Sequence, residues 1–597
     1  MNLEGFAASF RNEEIGPKIR ARRRERFVSL LGLPFDRRIC TAMRSAAIAN
    51  DRSRLASSAL DSPARPIDLP GPVAAPPSSH SPLIFAIDLG SSGVRVALVD
   101  AHGRAVGSAT ESIAMQMLAD GGAEEDPEAI WRALGRAIQR ALAEAPDAGA
   151  RIEALLCGSQ YSSLVPVDRA GRPVGPLVLY LDTRGGPVTR ELTGRRPELW
   201  KLWLDRHGMP SGGSGSDSLA HWLWFQTEHP EIHAAAHAYV EPMDYLTARL
   251  TGRVTANICT LFPLLLTDNR RGSAGGYCDA IIEASGVDRA KLPELVAPDT
   301  IVGELLPEHA AAWGLPRGIR VFSAINDTQA LTFGTASHLG DRLGVSIGTT
   351  LVPTTLVDSM RADLRHFLLT QPAPIPDRHV LMAEGGLAGK ALEFVLEGLI
   401  YARDDLGDHR REHSYADLDA IANSTEPGAG GVMFLPWLTG IWAPAGDAKA
   451  RGAFLNMSLA TTRAHLVRAT LEGVAFQLHW MLPHVEALTG RRHDELVFAA
   501  GGARSDAWAQ ILADVCNRPV RQLAEPTLTN CRGAALLAFH RLGRIDLDAA
   551  GDLLAVRRRY EPRPEYRALY DDMAGRFELA HERLGPVFGG PTGGHDG

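Results

Sequence analysis

Leu-Ile-Phe-Ala-Ile-Asp-Leu-Gly-Ser-Ser-Gly, residues 83–93, is an apolar strand that ends at a glycine followed by two serines. Residues 94–99 predict a second strand, and residues 105–110 continue the meander. Asp126 and Pro127 then suit the N-cap and the first turn of an amphipathic helix. Another strand is predicted at residues 152–157. Because strands and helices alternate in this way, the sequence indicates an α/β protein.

The order of strand, glycine and two hydroxyl residues recurs much later in the chain. Residues 345–351 read Val-Ser-Ile-Gly-Thr-Thr-Leu, which faintly repeats the strand, the glycine and the two hydroxyl residues of residues 87–93. Two similar lobes, each beginning with a hydroxyl-rich turn, would place these turns face to face across a central cleft. The alternative is a chance similarity between two strand-turn-strand units.

Composition excludes several classes of function. The chain has 597 residues, of which 45% are hydrophobic, so it can bury the cores of several domains. A formal net charge of −8 argues against a nucleic-acid partner. The six cysteines form no C-x-x-C pair, which predicts neither a zinc site nor a disulfide framework and fits a reducing, cytoplasmic location. No apolar run reaches the length of a membrane span.

The first 80 residues differ from the rest of the chain. They are basic, with the run Arg20-Ala21-Arg22-Arg23-Arg24, and from Ser53 they become rich in alanine, proline and serine. This composition predicts a disordered basic tail and linker over residues 1–80. A targeting or regulatory tail is the alternative.

The two hydroxyl-rich turns have the residues that a triphosphate requires. Backbone N–H groups, small side chains and a magnesium ion together stabilise its charge. Asp88 ends a buried strand, where an unpaired carboxylate is costly, and a Mg²⁺ shell would account for it. The predicted phosphate-binding residues of the two turns are Gly90, Ser91, Ser92, Gly348, Thr349 and Thr350. The alternative is two ordinary hairpin turns with one polar strand-end residue.

Asp327 is the candidate general base. The apolar segment Ile319 to Ala324 predicts a strand that delivers Asp327 to its carboxyl end, where sites form in α/β proteins. A carboxylate there can accept the proton of a hydroxyl that attacks phosphorus. The alternative is a helix N-cap, because a small-residue segment follows directly.

Two further segments suit nucleotide and sugar binding. Residues 496–505 predict a strand, two glycines and the start of a helix capped by Ser505. In this junction Gly501 and Gly502 would form a flat backbone surface on which adenosine can lie. The alternative is a tight turn that only packing requires. The segments 158–163 and 179–184 place polar groups on loops beside apolar strands, as buried sugar hydroxyls require. The candidates there are Gln160, Tyr161, Ser162, Asp182 and Arg184, with a local Asp182–Arg184 salt bridge as the alternative.

Taken in order, these segments resemble the FGGY family of carbohydrate kinases, particularly its xylulokinase-like branch. Residues 87–92 resemble the first phosphate loop of the family, and residues 346–350 resemble the second. Asp327 falls at the position of the family's catalytic base, and Glu125-Asp126-Pro127 and Gly533-Ala534-Ala535 match further motifs. The sugar-facing positions depart from the branch: Tyr180 replaces a tryptophan, and Gln160-Tyr161-Ser162 stands where xylulokinases have Gln-Met-His.

The resemblance implies two RNase H-like lobes of the actin/hexokinase type around a central cleft. The first lobe, residues 81–333, would bind the sugar, the second, residues 334–585, would bind ATP, and residues 586–597 would form a flexible C-terminus. The implied reaction is phosphorylation of a small ketose or polyol by ATP and Mg²⁺, with D-xylulose as the first expected acceptor, and a homodimer is a further expectation. The alternatives are a catalytically silent sugar- or nucleotide-binding regulator, a kinase for another pentulose, hexulose or polyol, or an ATPase of the superfamily.

Overall fold

The computed structural model describes residues 81–273, 275–404, 407–412 and 414–588. The predicted tail of residues 1–80 and most of the predicted C-terminal segment lie outside them. The elements that build the first sheet are β1 (Leu83–Gly90), β2 (Gly93–Asp100), β3 (Ala105–Ser112), α1 (Pro127–Glu144), β4 (Ile152–Ser159), β5 (Ile301–Glu304), β6 (Arg320–Phe322) and β7 (Ile325–Asn326).

The first sheet has the strand order β5-β6-β4-β1-β2-β3, and β7 continues beside β4. Strands β1 and β4 are parallel, as are β4 and β6, whereas β2, β3 and β5 run antiparallel to their neighbours. The strands predicted from residues 83–110 and 152–157 are confirmed. The strand predicted at Ile319 to Ala324 is shorter and is followed by the separate β7, so the chain bends just before Asp327.

The second sheet repeats this pairing pattern. Its elements, after helix α2 (Asp327–Gly334), are β8 (Arg342–Ile347), β9 (Leu351–Thr354), α3 (Arg463–Thr489), β10 (Glu495–Ala499), α4 (Asp506–Cys516), β11 (Val520–Leu523), α5 (Thr529–Arg541), β12 (Val556–Tyr560) and α6 (Arg567–Leu584). The order is β9-β8-β10-β11-β12, with β8, β10 and β11 parallel and both edge strands antiparallel. Strands β8 and β9 therefore occupy the positions that β1 and β2 have in the first sheet.

Smaller elements extend both lobes. In the first, the strands are Gln116–Met117, Ala123–Glu125, Val165–Val167, Leu177–Val178, Ala238–Val240, Thr255–Ala256 and Glu294–Leu295, and the α-helices are Gly186–Arg195, Glu198–Leu202, Ser218–Glu228, Pro230–Ala235, Pro242–Thr251, Asp279–Ser285 and Pro307–Trp313. In the second, the strands are Leu356–Val357, Ala362–Asp363, Leu368–Pro372, His379–Met382, Arg403–Asp404, Gly407–Asp408, Met433–Leu435 and Ala453–Leu455, and the α-helices are Gly389–Val395 and Tyr415–Asn423. In the described part of the chain, no helix is both long enough and apolar enough to span a membrane.

Helix α5 joins the two lobes. It lies in sequence between β11 and β12 of the second sheet, yet it packs on β1 and β4 of the first sheet and against α2 in an apolar cluster that includes Ile84, Leu156 and Phe333. Two glycines allow this close packing: a Cβ on Gly533 would lie 1.8 Å from the carbonyl oxygen of Ala330, and the Cα hydrogens of Gly334 face Thr529. The N-terminus of α5 therefore lies beside the end of β1, where Asp88 is found.

Candidate active site

Three predicted site residues lie along one edge of the first sheet. Strand β4 lies between β1 and β7, with Gly158 aligned to Asp88 on one side and to Ile325 on the other. One step further along, the backbone N–H of Gln160 donates to the carbonyl of Leu89 over 2.8 Å. Asp88, Gln160 and Asp327 are therefore brought together at the carboxyl ends of three adjacent strands, where α/β sheets form their sites.

Asp327 is not the cap of the helix that it begins. The N-cap is Asn326, whose side chain accepts the N–H of Gln329 at 2.9 Å, while Gln329 returns a bond to the backbone of Asn326 at 3.0 Å. The capping alternative for Asp327 is therefore wrong, because this capping box already satisfies the helix terminus. The Asp327 carboxylate accepts a hydrogen bond from the hydroxyl of Thr328 at 3.3 Å, and the residue is partly exposed.

The surroundings of Asp327 favour its protonated form. Burial is the largest cause, and the carboxylates of Asp88 and Glu384 add like-charge repulsion, so the pKa of Asp327 is raised to about 7 despite hydrogen bonds from Thr328. A carboxylate with a pKa close to neutral is suited to accept a proton during catalysis. Glu384, a residue of the second lobe, thus contributes to the raised pKa of Asp327.

Asp88 is buried between the two lobes. Its carboxylate is 3.3 Å from Arg95 Nη1 on the paired strand and 3.3 Å from Asn530 Nδ2 at the start of α5. Burial raises its pKa, although both partners oppose this shift. Among the described residues no group of three metal-ligand side chains occurs, so a cation here would need ligands from a bound molecule. Mg²⁺ binds in this way, through one or two carboxylates together with substrate phosphates, and Asp88 fits that requirement.

The second turn borders a cavity. The space around Gly348 is open, since a Cβ placed on it would meet no atom within 4 Å, whereas a Cβ on Gly389 would lie 2.3 Å from the Gly348 carbonyl. The cavity next to it has a volume of about 300 Å³. Its lining includes four predicted nucleotide residues and the aromatic ring of Tyr415: Gly348, Thr349, Gly501, Gly502 and Tyr415. The two predicted nucleotide segments therefore meet at one surface, although Thr350 does not line it.

Ser505 lies beneath this surface rather than on it. It caps α4, as predicted, by accepting the N–H of Trp508 at 2.9 Å, and its hydroxyl donates to Asp419. Asp419 also accepts the N–H of Asp506 at 2.9 Å. These bonds hold the strand-glycine-helix junction in place. Adenosine contact by Ser505 itself stays a prediction.

The loop that carries Gln160, Tyr161 and Ser162 has an unusual conformation at the edge of the site. Ser162 has φ of 58°, and the buried Glu241 holds the loop by accepting the N–H of Ser163 at 3.2 Å. Gln160 is only 6% exposed, yet neither amide atom has a hydrogen-bond partner among the residues that the structure describes. Buried amides are normally paired, so this one indicates a ligand that supplies hydroxyl groups. The phenol of Tyr161 interacts with Thr328 and lies near Asp327.

Asp182 and Arg184 contact each other. Arg184 Nη2 is 2.6 Å from Asp182 Oδ2 and 2.6 Å from Glu124 Oε1, and its guanidinium lies 3.9 Å from the centre of the Trp224 ring. Asp182 also accepts the N–H of Ala123 at 3.0 Å. These contacts match the local salt-bridge alternative. Direct sugar contact by the pair stays a prediction.

The structure adds four residues that the candidate set lacked. Tyr180 interacts with Ser91 of the first turn and with the charges of Glu384, Asp327 and Glu125, and Asn530 contacts Asp88. Tyr180 and Glu125 stand in segments that the sequence had already singled out. Glu384 and Asn530 had no such signal, because each reaches the site from another part of the fold.

Comparisons with known proteins agree with this arrangement. The N-terminal domain of the FGGY family of carbohydrate kinases matches residues 83–334, and the C-terminal domain of that family matches residues 345–542. Xylulose kinase of Lactococcus lactis is 26% identical, covering 76% of this chain and 87% of its own length. Gluconokinase of Bacillus subtilis is 23% identical, with 81% of this chain and 94% of that protein covered.

The fold of solved kinases is the same. The structure of ligand-bound xylulose kinase from Lactobacillus acidophilus superimposes with a TM-score of 0.73 at 20% identity, covering 85% of this chain and 99% of that one. This likeness confirms the predicted two-lobed, actin/hexokinase-like architecture. Because both domains match in order over most of the chain, the protein belongs to the FGGY family of carbohydrate kinases.

Proposed function

We propose that this kinase transfers the γ-phosphoryl group of ATP to a hydroxyl group of a small ketose or polyol, with D-xylulose as the first expected acceptor. The observation that carries the proposal is the position of Asp327. Asp327 and Gln160 directly follow the paired residues Asn326 and Ser159 at the ends of two adjacent strands, and burial together with the charge of Asp88 raises the pKa of Asp327 to about 7. Xylulose kinases are among the relatives, which supports the choice of acceptor.

On the acceptor side, Asp327 accepts the proton of the attacking hydroxyl group. Gln160, Tyr161 and Ser162 hold the other hydroxyl groups, and the Asp182–Arg184 pair fixes the loop beside them. Hydroxyl groups bound at such a site must each find a donor and an acceptor, and the free Gln160 amide supplies one of each. Fixing the acceptor in line with the phosphoryl group supplies much of the catalysis, since this chemistry depends mainly on positioning and charge.

On the nucleotide side, the two turns bind the phosphates through their N–H groups and hydroxyls. Gly348 and Thr349 lie at the mouth of the cavity that Gly501, Gly502 and Tyr415 complete, and the adenosine lies there. Asp88 would hold Mg²⁺ together with the phosphates, and the chemistry that the ion would supply when bound is neutralisation of the phosphate charge. Ser91, Ser92 and Gly90 approach the same phosphates from the first lobe.

The test is an ADP-release assay of the full chain over ketoses and polyols, in which the parent is expected to release ADP only when an acceptor is present. Asp327→Asn should lower kcat by about 10²–10⁴-fold, because the base is lost, and leave the Kd for ATP unchanged by titration calorimetry. Asp548→Asn, an exposed residue of the short 3-10 helix Leu547–Leu553, is the matched control and should keep the parent rate. Parent-like turnover by Asp327→Asn would refute the assignment of the base, and acceptor-independent ATP hydrolysis would favour an ATPase.

A further inference from the structure

We propose that Asn326 is a positioning residue for the base, and that its hydrogen bond to Gln371 of the second lobe fixes the orientation of Asp327. Asn326 directly precedes Asp327 and lies within the residues that match the N-terminal family domain, whereas Gln371 lies within those that match the C-terminal domain. The inference rests on the proposed function and adds to it a contact between the lobes that acts on the base.

Asn326 is bonded to both lobes. Its backbone belongs to β7 and is aligned with Ser159 of β4 in the first sheet. Its side-chain oxygen accepts the N–H of Gln329 at 2.9 Å, and its Nδ2 donates to Gln371 Oε1 at 2.6 Å. Because a backbone N–H requires an oxygen as its partner, the cap turns the N–H₂ group of Asn326 toward Gln371, which must present its own oxygen. One side-chain amide therefore serves the helix terminus and the second lobe together.

Gln371 lies on a strand that is fixed in place. The carbonyl of Pro372, the last residue of this strand, accepts the side-chain N–H of Gln329 at 2.8 Å. On the neighbouring antiparallel strand, His379 Nε2 is 3.0 Å from the carbonyl oxygen of Asn269 in the first lobe. The capping box of α2 is therefore bonded twice to a strand whose sheet also contacts the first lobe.

Stability alone does not account for an amide at position 371. Asn326 and Gln371 are both 0% exposed, and Nε2 of Gln371 has no hydrogen-bond partner among the described residues. A buried N–H₂ group without a partner costs free energy, which offsets part of what the bond to Asn326 contributes. The amide does, however, supply a directional acceptor for the residue that precedes the base.

The bond acts on catalysis through geometry. Asp327 is the first residue of α2, so the direction of its carboxylate depends on the backbone that the cap at Asn326 holds. Proton transfer to Asp327 requires the attacking hydroxyl group at hydrogen-bond distance, and a displacement of about 1 Å in such a site can lower the rate about 100-fold. Asn326 and Gln371 therefore act through Asp327 rather than by contact with the substrate.

The test measures kcat, KM and thermal unfolding of two variants of the full chain. Gln371→Met removes the acceptor and nearly keeps the size of the side chain, and Asn326→Ser keeps a capping oxygen but is too short to reach Gln371. Each should lower kcat for acceptor-dependent ADP release about 10-fold, with the KM values for ATP and acceptor changed by less than about 2-fold. Parent-like kcat in Gln371→Met would overturn the inference and leave the kinase proposal intact.

Thr370→Val is the matched control. It removes a buried hydroxyl on the same strand, which is bonded to the backbone of Arg361 and not to the capping box. It should lower the unfolding temperature but keep the parent kcat. A loss of kcat in Thr370→Val equal to that in Gln371→Met would show that general weakening of the strand is the cause, and would refute the positioning role.

The double variant tests whether the two residues act through one bond. Asn326→Ser combined with Gln371→Met should lower kcat no further than the more damaging single change, whereas independent effects would multiply to about 100-fold. A multiplicative loss would refute the coupling. If the parent released no ADP with any ketose or polyol of the screen, the proposed function itself would fail, and the inference with it.

Discussion

The two hydroxyl-rich turns have the same backbone plan but different chemistry. In the first lobe, Asp88 is paired across the hairpin with Arg95 and lies beside Gly158 of the parallel strand. In the second lobe, the equivalent residue is Ser346, paired with Val352 and lying beside Ala499. The first turn therefore has a carboxylate where the second has a neutral hydroxyl.

This difference indicates how the repeated strand-turn-strand unit can serve catalysis in one lobe and nucleotide binding in the other. Around the first turn, charge is concentrated: Asp88 lies near Asp327, and both have a raised pKa. The second turn lies beside a cavity: Gly348 has open space around it, and the glycines that follow β10 line the same cavity. The proposal therefore assigns catalysis to the first turn and nucleotide binding to the second.

The largest expected effect on kcat is that of replacing Asp88, the charged residue of the first turn. Asp88→Asn should lower kcat roughly 100-fold, because the loss of about 2.7 kcal/mol of transition-state stabilisation by a bound Mg²⁺ corresponds to that factor. Ser346→Ala, at the equivalent position, should change kcat by about 5-fold at most, since a single neutral hydroxyl contributes about 1 kcal/mol. Steady-state kinetics at saturating ATP over a range of MgCl₂ concentrations would measure both. Equal effects of the two changes would show that the turns are not divided in this way.

Sequence reasoning succeeded where the chemistry is local to a strand end. The segments around Asp88, Asp327 and Gly348 can be recognised in the sequence because each has an apolar strand, a small residue and a polar residue next to each other in the chain. The convergence of Asp88 and Asp327 also follows from sequence, since parallel strands of one sheet bring their carboxyl ends to one edge. The Ser505 cap was visible for the same reason, as capping depends on the next three residues.

Contacts between distant segments were not accessible in this way. Asn530 reaches Asp88 only because the glycines at 334 and 533 let α5 pack closely on α2, and Glu384 reaches Asp327 only because the two lobes face each other. The sequence offered two interpretations of Asp182 and Arg184 with no means to choose. The observed contacts with Glu124 and Trp224, both far in sequence, are those of a structural ion pair.

A smaller effect is expected at the glycine of the second turn. Gly348 has room for a methyl group and does not have a left-handed φ, so Gly348→Ala should leave the unfolding temperature unchanged. It should raise the KM for ATP about 10-fold, because the methyl group would occupy space that a phosphate approaches, at a cost of about 1.4 kcal/mol. Gly575→Ala, also with no atom within 4 Å but on the distant helix α6, is the control and should leave KM unchanged.

Gly389→Ala is a second test of whether Gly348 serves nucleotide binding rather than packing. Its added Cβ would lie 2.3 Å from the Gly348 carbonyl, so this variant should unfold at a lower temperature, unlike Gly348→Ala. Differential scanning fluorimetry together with the ATP dependence of the rate separates the two effects. A drop in stability for Gly348→Ala would mean that its glycine serves packing rather than nucleotide binding.

The finest test of the division between the turns is the pH profile. With Asp327 as the base and its pKa at about 7, kcat/KM should fall tenfold per pH unit below that value and level off above it, because only the ionised carboxylate accepts a proton. Glu384→Gln removes a like charge from the neighbourhood of Asp327, lowers its pKa, and should move the acidic limb to lower pH. Glu125 also has a pKa of about 7, raised by burial, but it is not among the causes of the Asp327 shift. Glu125→Gln should therefore leave the limb where it is, whatever it does to the height of the profile. The opposite result would be an acidic limb that moves with Glu125→Gln and stays fixed with Glu384→Gln. It would show that Asp327 is not the proton acceptor. It would also contradict the assignment of catalysis to the edge of the first sheet where the first turn lies.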